Sequence, residues 1–270
     1  MTTVQYRVDG AIATITLDRP DKHNAQDQAL LVELDARWRE AAVDDAVKVI
    51  LVRANGANFS AGHDLKSEIA DYAREDLGAV QSGFRWEAEH YLGFSQRWRN
   101  IAKPSIAAVQ GACIAGALNV IWPCDLIVAA DNAWFSDPVV RYGIGGVEYH
   151  AHTWELGARK AKELLFTAGS LSAHEALQLG MVNRVVPLDE LEAQSLELAQ
   201  RIATMDSWGL AQAKRAVNQT LDIMGQHSAL QAAFEIHWTG HANALVRTGY
   251  PLLREGPLDP AEAGRGGGRA

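Results

Sequence analysis

The stretch "KPSIAAVQGACIAGALNVIWPCDLIVAAD", residues 103–131, decides the fold. It opens and closes with short apolar runs, "PSIAAVQG" and "CDLIVAAD". Neither alternates with polar residues, so each reads as a strand buried on both faces. Between them, glycine and alanine surround Gly116, and a short apolar helix follows that breaks at Pro123. Small residues at such a junction let backbone N–H groups approach a neighbour closely. The polar side chain best placed there is Asn119. An amide donates and accepts hydrogen bonds but does not exchange a proton near neutral pH.

Working outward, "VKVILVRA" (47–54) is another doubly buried strand, and residues from about Asp27 to Ala42 place Leu30, Leu31, Leu34 and Trp38 at helical spacing. "VQYRVDGAIATITLD" (4–18) alternates on either side of Asp9-Gly10 and reads as a hairpin. Strands separated by helices predict an α/β core. A mixed segment from Lys66 to Asn100 is expected to be helical and partly mobile. From Ala158 onward the pattern is helical. "ARKAKELLFTAG" is expected to end on Gly169 as C-cap, and "SAHEALQLG" starts with a capping box of Ser172 and Glu175. "VNRVVPLDEL" is a short strand and turn. Helices are expected up to about Ala203, from Ser207 to Met224, and over Ala229–Thr248. The chain divides into a core over 1–200, a helical region over 201–254 and a disordered tail over 255–270, where glycine, proline and alanine leave no apolar stripe.

The chain has 270 residues, 48% of them hydrophobic and 21% charged, which is the composition of a soluble globular protein. At this size about three quarters of the unfolded surface can be buried, enough for one large core. The formal net charge of −8 excludes the basic footprint of a nucleic-acid binder. No apolar run is long enough to span a membrane, and the alternating N-terminus does not read as a signal peptide. Cys113 and Cys124 lie in apolar surroundings without metal-ligand spacing, so both read as reduced, buried thiols of a cytoplasmic protein. No metal site is predicted. His150 and His152 have strand spacing and His237 and His241 helical spacing, but neither pair has a third ligand, and a surface or interface place is expected.

A second turn, "FSAGHDLK" (59–66), resembles the one at Gly116: a strand ends, a glycine loop follows, and a helix starts near Asp64. The backbone N–H groups of His63 and Gly116 could converge on one oxygen and hold a developing oxyanion. The same glycines also serve as tight packing points, and spacing alone leaves both readings open.

Five stretches, in order and correctly spaced, resemble the crotonase (enoyl-CoA hydratase/isomerase) superfamily over about residues 3–250. They are "ITLDRPDKHNA", "VILVRANGANFSAGHDLK", the 103–131 stretch, "AWFSDPVVRYGIGG" and "LLFTAGSLSAHEALQLGMVNRVVP". The resemblance implies an α/β fold, a crotonase-like ββα spiral core with a C-terminal helical region that builds a homotrimer or hexamer. It implies an acyl-CoA, a coenzyme A thioester, as substrate and no permanently bound cofactor. The thioester oxygen is then held by the backbone N–H groups of His63 and Gly116. Ala61, Asp64 and Leu65 wrap the adenine and pantetheine, Lys66 lies near the phosphates, and Lys22 and His23 border the nucleotide.

Hydratases of the superfamily place one glutamate three residues after the oxyanion glycine and another after the proline of an "FxxPE" stretch. Here those positions hold Asn119 and Val139. The two-carboxylate addition of water is therefore not expected. Candidate replacements are Asp137, two residues before Val139, and Glu148, just after "GIGG", near where aromatic-CoA dehalogenases of the superfamily keep an acid. Tyr149, His150 and His152 form a polar cluster after the same turn, and Glu87 and His90 fall where the family lines its acyl pocket. The His63 ring is expected toward coenzyme A or solvent. The alternatives are an acyl-CoA-binding protein without turnover and a structural partner subunit.

Overall fold

The computed structural model of the chain describes residues 2–66 and 79–253. The tail 255–270, expected to be disordered, and part of the mixed segment, 67–78, lie outside the described residues.

β1 (Val4–Asp9) and β2 (Ile12–Leu17) form the expected antiparallel hairpin. β3 (Val49–Ala54), β4 (Ser105–Val109), β6 (Leu126–Ala130) and β9 (Arg184–Val186) extend it in parallel, in the order β1-β2-β3-β4-β6-β9. The apolar runs read as doubly buried are so: Ile50, Val52, Ala107 and Val109 face one core, and Val49, Leu51, Ile106, Ala108 and Val128 the other. α1 (Gln28–Val43) covers the first face with Leu30, Leu34 and Trp38, and Asp27 caps its N-terminus through the Leu30 N–H. The second face is covered by Leu191, Leu198 and Ala199.

β5 (Ala112–Ile114), β7 (Trp134–Ser136) and β8 (Ser170–Ser172) make a smaller sheet. β4 with β5, and β6 with β7, each followed by a helix, are successive windings of a ββα spiral, as the sequence predicts. α2 (Ala79–Glu87), a π-helical turn (Ala88–Gly93) and α3 (Phe94–Asn100) lead into β4, and the short α4 (Leu118–Ile121) leads from β5 to β6. α5 (His152–Thr167) follows β7, bent at Gly157 where φ is +71°. It stops one residue earlier than expected: Ala168, not Gly169, takes the left-handed position at φ +47°. α6 (Ala173–Leu179) carries the expected Ser172–Glu175 capping box.

α7 (Leu191–Ala203), α8 (Ser207–Ile223) and α9 (Gln226–Thr248) complete the chain. The expected boundary at 200 falls inside α7, which packs on the sheet through Leu191, Leu198 and Ala199. Among the described residues no helix is long and apolar enough to cross a membrane.

Candidate active site

The smaller sheet brings the two glycine turns together. Ser60 pairs with Cys113 in parallel, its N–H reaching Ala112 O at 3.1 Å and its carbonyl accepting from Ile114 N–H at 3.1 Å. Parallel pairing preserves the offset between chains. His63 and Gly116, each three residues beyond that pair, therefore lie side by side. A Cβ on Gly62, at φ +89°, would sit 3.1 Å from Gly116 N and 2.7 Å from Ile114 O. A Cβ on Gly116 would fall 2.4–2.7 Å from three atoms of the His63 imidazole. Both turns need glycine because another chain segment occupies the Cβ position. Ala115, next to Gly116 and itself on the cavity wall, holds φ +49°, a strained value for a residue with a Cβ.

A cavity of about 470 Å³ opens beside these turns. Its exposed rim carries Lys22, His23 and Lys66, and Ala61, Asp64 and Leu65 join them on the wall. All six predicted coenzyme-binding residues thus border one space. Arg19 fixes that rim, bonding Ala25 O at 2.6 Å and pairing with Asp27 at 2.9 Å and Asp64 at 3.5 Å. Asn24 ties the same loop down, donating to Asn55 O and Asn58 O and accepting from Arg19 N–H. Opposite lie Pro138, Val139, Tyr142, Ile144 and Leu252, an apolar surface. Val139 faces the cavity, so the wall is apolar at that position.

The buried wall is polar: His63, Glu148, His237 and His241. Glu148 is 3% exposed. Its Oε2 accepts from Asn119 Nδ2 at 2.6 Å and lies 3.3 Å from His63 Nε2, and its Oε1 is 3.7 Å from His237 Nε2. Asn119 uses its other end to accept from Tyr149 N–H at 3.1 Å, which fixes the backbone beside Glu148. Burial alone would raise the Glu148 carboxyl, but His63, His237 and the Asn119 amide together hold it well below the usual carboxylate range. The His63 ring stacks on Tyr91 at 3.9 Å and reaches Glu148 on the cavity wall; of the two expected directions, coenzyme A or solvent, it does not take the solvent one.

His237 and His241 are not at the surface. Both lie on the buried side of α9, one turn apart, and meet Glu87 from the end of α2. His237 Nδ1 donates to Gly146 O at 2.7 Å and His241 Nδ1 to Pro251 O at 2.9 Å. Both Nε2 atoms consequently face the same point, 3.0 Å apart, with Glu87 Oε2 3.2 Å from that of His237. Burial would lower the His237 pKa, but its hydrogen bond to Glu87 and the Glu148 charge push it up to about 9. Burial holds that of His241 below its ordinary value. One shared proton, on His237, then satisfies the contact. The sequence offers the i, i+4 spacing of the pair but no sign that Glu87, 150 residues away, is the third member.

Other predicted residues lie elsewhere. Asp137 is fully buried and turns away from the cavity: it pairs with His152 at 2.8 Å and accepts from Val147 N–H at 2.9 Å, pinning the glycine turn before Glu148. Of the two places open to Asp137, lining the pocket or capping the turn, its contacts are those of the second. His150 packs its ring against Gly146 and lies tilted to the His152 ring, centroids 4.2 Å apart. His90 stacks on Trp86 at 4.6 Å and donates to Trp86 O. Cys113 and Cys124 are unbridged, and burial pushes both thiols up.

Residues 7–251 match the enoyl-CoA hydratase/isomerase family. The chain is 45% identical over 261 residues to a Mycobacterium tuberculosis protein named as an enoyl-CoA hydratase, covering 90% of this chain and 81% of that one. A 4-chlorobenzoyl coenzyme A dehalogenase of an Arthrobacter species is 36% identical over 195 residues, covering 71% of this chain and 69% of that one. A crystal structure of a probable enoyl-CoA hydratase from Mycobacterium smegmatis superposes with a TM-score of 0.90 at 58% identity, covering 94% of this chain and all of that one.

Proposed function

The chain belongs to the enoyl-CoA hydratase/isomerase family, and from that premise we propose that it is an acyl-CoA enzyme whose single working carboxylate is Glu148. The observation that carries this reading is the Asn119–Glu148 hydrogen bond of 2.6 Å. The residue standing where family hydratases carry a glutamate here holds a carboxylate from another segment in its neighbourhood.

On this reading the thioester carbonyl lies against the backbone N–H groups of His63 and Gly116, and the nucleotide lies along Lys22, His23, Ala61, Asp64, Leu65 and Lys66. Removing a proton beside the carbonyl sends charge onto the thioester oxygen, where two preorganised amides stabilise it by several kcal/mol. Glu148 receives the proton. Because its neighbours hold the carboxyl low, it is a weak base, and the amides must supply most of the driving force. A single carboxylate can return the proton to a neighbouring carbon, which moves a double bond. It cannot both activate a water and protonate the opposite carbon as two carboxylates do. Isomerisation of an enoyl-CoA is therefore favoured over addition of water.

The test is a side-by-side assay of 2-enoyl-CoA hydration and 3-enoyl-CoA isomerisation. Isomerisation should exceed hydration, and Glu148→Gln should lower it by about 10²–10⁴-fold while coenzyme A ester binding persists. Hydration at the rate of a two-glutamate relative, or a Glu148→Gln enzyme of unchanged kcat, overturns the reading. Two buried, unbridged thiols support a reducing, cytoplasmic location, and the apolar exposed side of α8 supports assembly as a trimer or hexamer.

A further inference from the structure

We propose that Glu87, His237 and His241 form a binding site for one divalent ion of the zinc class, built into the wall of the cavity. Two imidazoles and one carboxylate are a three-ligand set of catalytic zinc centres, whose fourth position is left to water or substrate. Three independent features fit it.

The first is spacing. His237 Nε2 lies 3.0 Å from His241 Nε2 and 3.2 Å from Glu87 Oε2, and His241 Nε2 lies 3.6 Å from Glu87 Oε1. Donors at about 2.0–2.1 Å around a tetrahedral ion stand about 3.3 Å apart. The donor atoms already lie within 4.8 Å of one another, so an ion can be taken up by small rotations of side chains.

The second is orientation. Zinc-bound histidines characteristically donate the other ring N–H to a carbonyl or carboxylate, which fixes the ring and directs the ligating lone pair. Here both Nδ1 atoms are so anchored, His237 on Gly146 O and His241 on Pro251 O. These anchors come from the turn before Glu148 and from the segment after α9, so two separate parts of the chain aim the rings at one point.

The third is access. Glu87 is fully buried behind the histidines, whereas His237, His241 and Glu148 border the cavity. The side not occupied by Glu87 therefore faces the cavity, and Glu148 Oε1, 3.7 Å from His237 Nε2, flanks it. An ion there would present its open position to whatever the cavity binds. The π-helical turn Ala88–Gly93 starts directly after Glu87, an irregularity that re-aims helical side chains and often marks a functional position. The site would hold zinc whether or not the cavity takes a thioester.

The experiment uses the full chain after treatment with a chelator. One equivalent of Co²⁺ should give the visible absorption of a four- or five-coordinate ion, Zn²⁺ should displace it at one per chain and raise the melting temperature, and Mg²⁺ should do neither. His241→Gln and Glu87→Gln, with folding checked by circular dichroism, should each weaken binding by more than the ~10–100-fold that loss of an outer-shell partner costs, while His227→Gln, an exposed histidine, should not. Absence of both the absorption and the melting shift in the wild type overturns the proposal, as does binding that survives both variants. If the variants do not fold, X-ray absorption of the zinc-loaded wild type decides. Two imidazoles with oxygen support the site, and sulfur or oxygen ligands alone overturn it.

Discussion

At the scale of single residues, Gly116 and His63 are a steric pair. A methyl group on Gly116 would penetrate the imidazole that reaches Glu148. Gly116→Ala is therefore expected to cost about 1–3 kcal/mol, the usual range for overpacking. Most of that cost should vanish when His63→Ala is added, because the ring that meets the methyl is gone. Denaturant titration of the two single variants and the double variant measures it; additive costs would mean that the ring is not the obstacle. Asn119 is the other informative residue. Asn119→Asp places a second carboxylate at the 2.6 Å contact with Glu148. Two such groups cannot both ionise cheaply, so one takes a proton at higher pH. The acidic limb of the pH–rate profile should move upward relative to wild type, and an unmoved limb would show that the contact is absent in solution.

At the scale of elements, the turn between β7 and α5 carries Glu148 and is held by groups that do not themselves line the cavity. Asp137 and His152 are both fully buried and paired at 2.8 Å. Asp137→Asn should destabilise the fold by about 1–3 kcal/mol, the range for disturbing a buried hydrogen-bonded group. Thermal or urea unfolding reads this directly, and a loss below 1 kcal/mol would place the turn's support elsewhere. His150, in the same turn, has a pKa pushed down to about 4 by burial and then by His152. Its folded value lies below its unfolded value. The unfolded chain therefore binds the extra proton, and stability is complete above about pH 6.5 and falls by up to about 3 kcal/mol as the pH drops toward 4. Comparing urea midpoints at pH 7.5 and 5 in wild type and His150→Gln isolates this contribution, which the variant should lack.

These elements also mark how far the sequence could be read. The hairpin, the buried strands, the Asp27 cap and the Ser172–Glu175 box follow from local alternation and capping chemistry, which neighbouring residues suffice to specify. The bends at Gly62 and Gly116 were readable as glycine turns, and their meeting follows from one parallel pairing, Ser60 with Cys113. The direction of Asp137 was not readable, because its partner His152 lies beyond a loop of glycines with no period. Nor was the meeting of Glu87 with His237 and His241, which depends on how α9 packs over α2. The shift of the α5 cap from Gly169 to Ala168 shows the same limit: a left-handed residue was foreseen, and packing chose its position.

At the scale of the whole molecule, the C-terminal helices do more than one job. α7 seals the large sheet, and α9 supplies two of the four polar groups on the buried wall of the cavity. α8, in contrast, buries no residue in the single chain. Trp208, Val217 and Ile223 on it, and Met224 just after it, are all more than 60% exposed. In the proposed trimer or hexamer these side chains would be covered by neighbouring chains. Sedimentation should find an assembly of three or six chains, and Trp208→Glu with Ile223→Glu should shift it to smaller species; a wild-type monomer at micromolar concentration would contradict the assignment.

The proposed chemistry rests on the grip of two main-chain amides on a thioester oxygen beside Glu148. Infrared difference spectroscopy with a carbonyl carrying ¹³C in a non-reactive acyl-CoA reports on that grip without relying on turnover. Hydrogen bonding from His63 and Gly116 should move the bound thioester carbonyl band to lower frequency than in water, and narrow it. A bound ester whose band stays at its aqueous position and width would contradict the account.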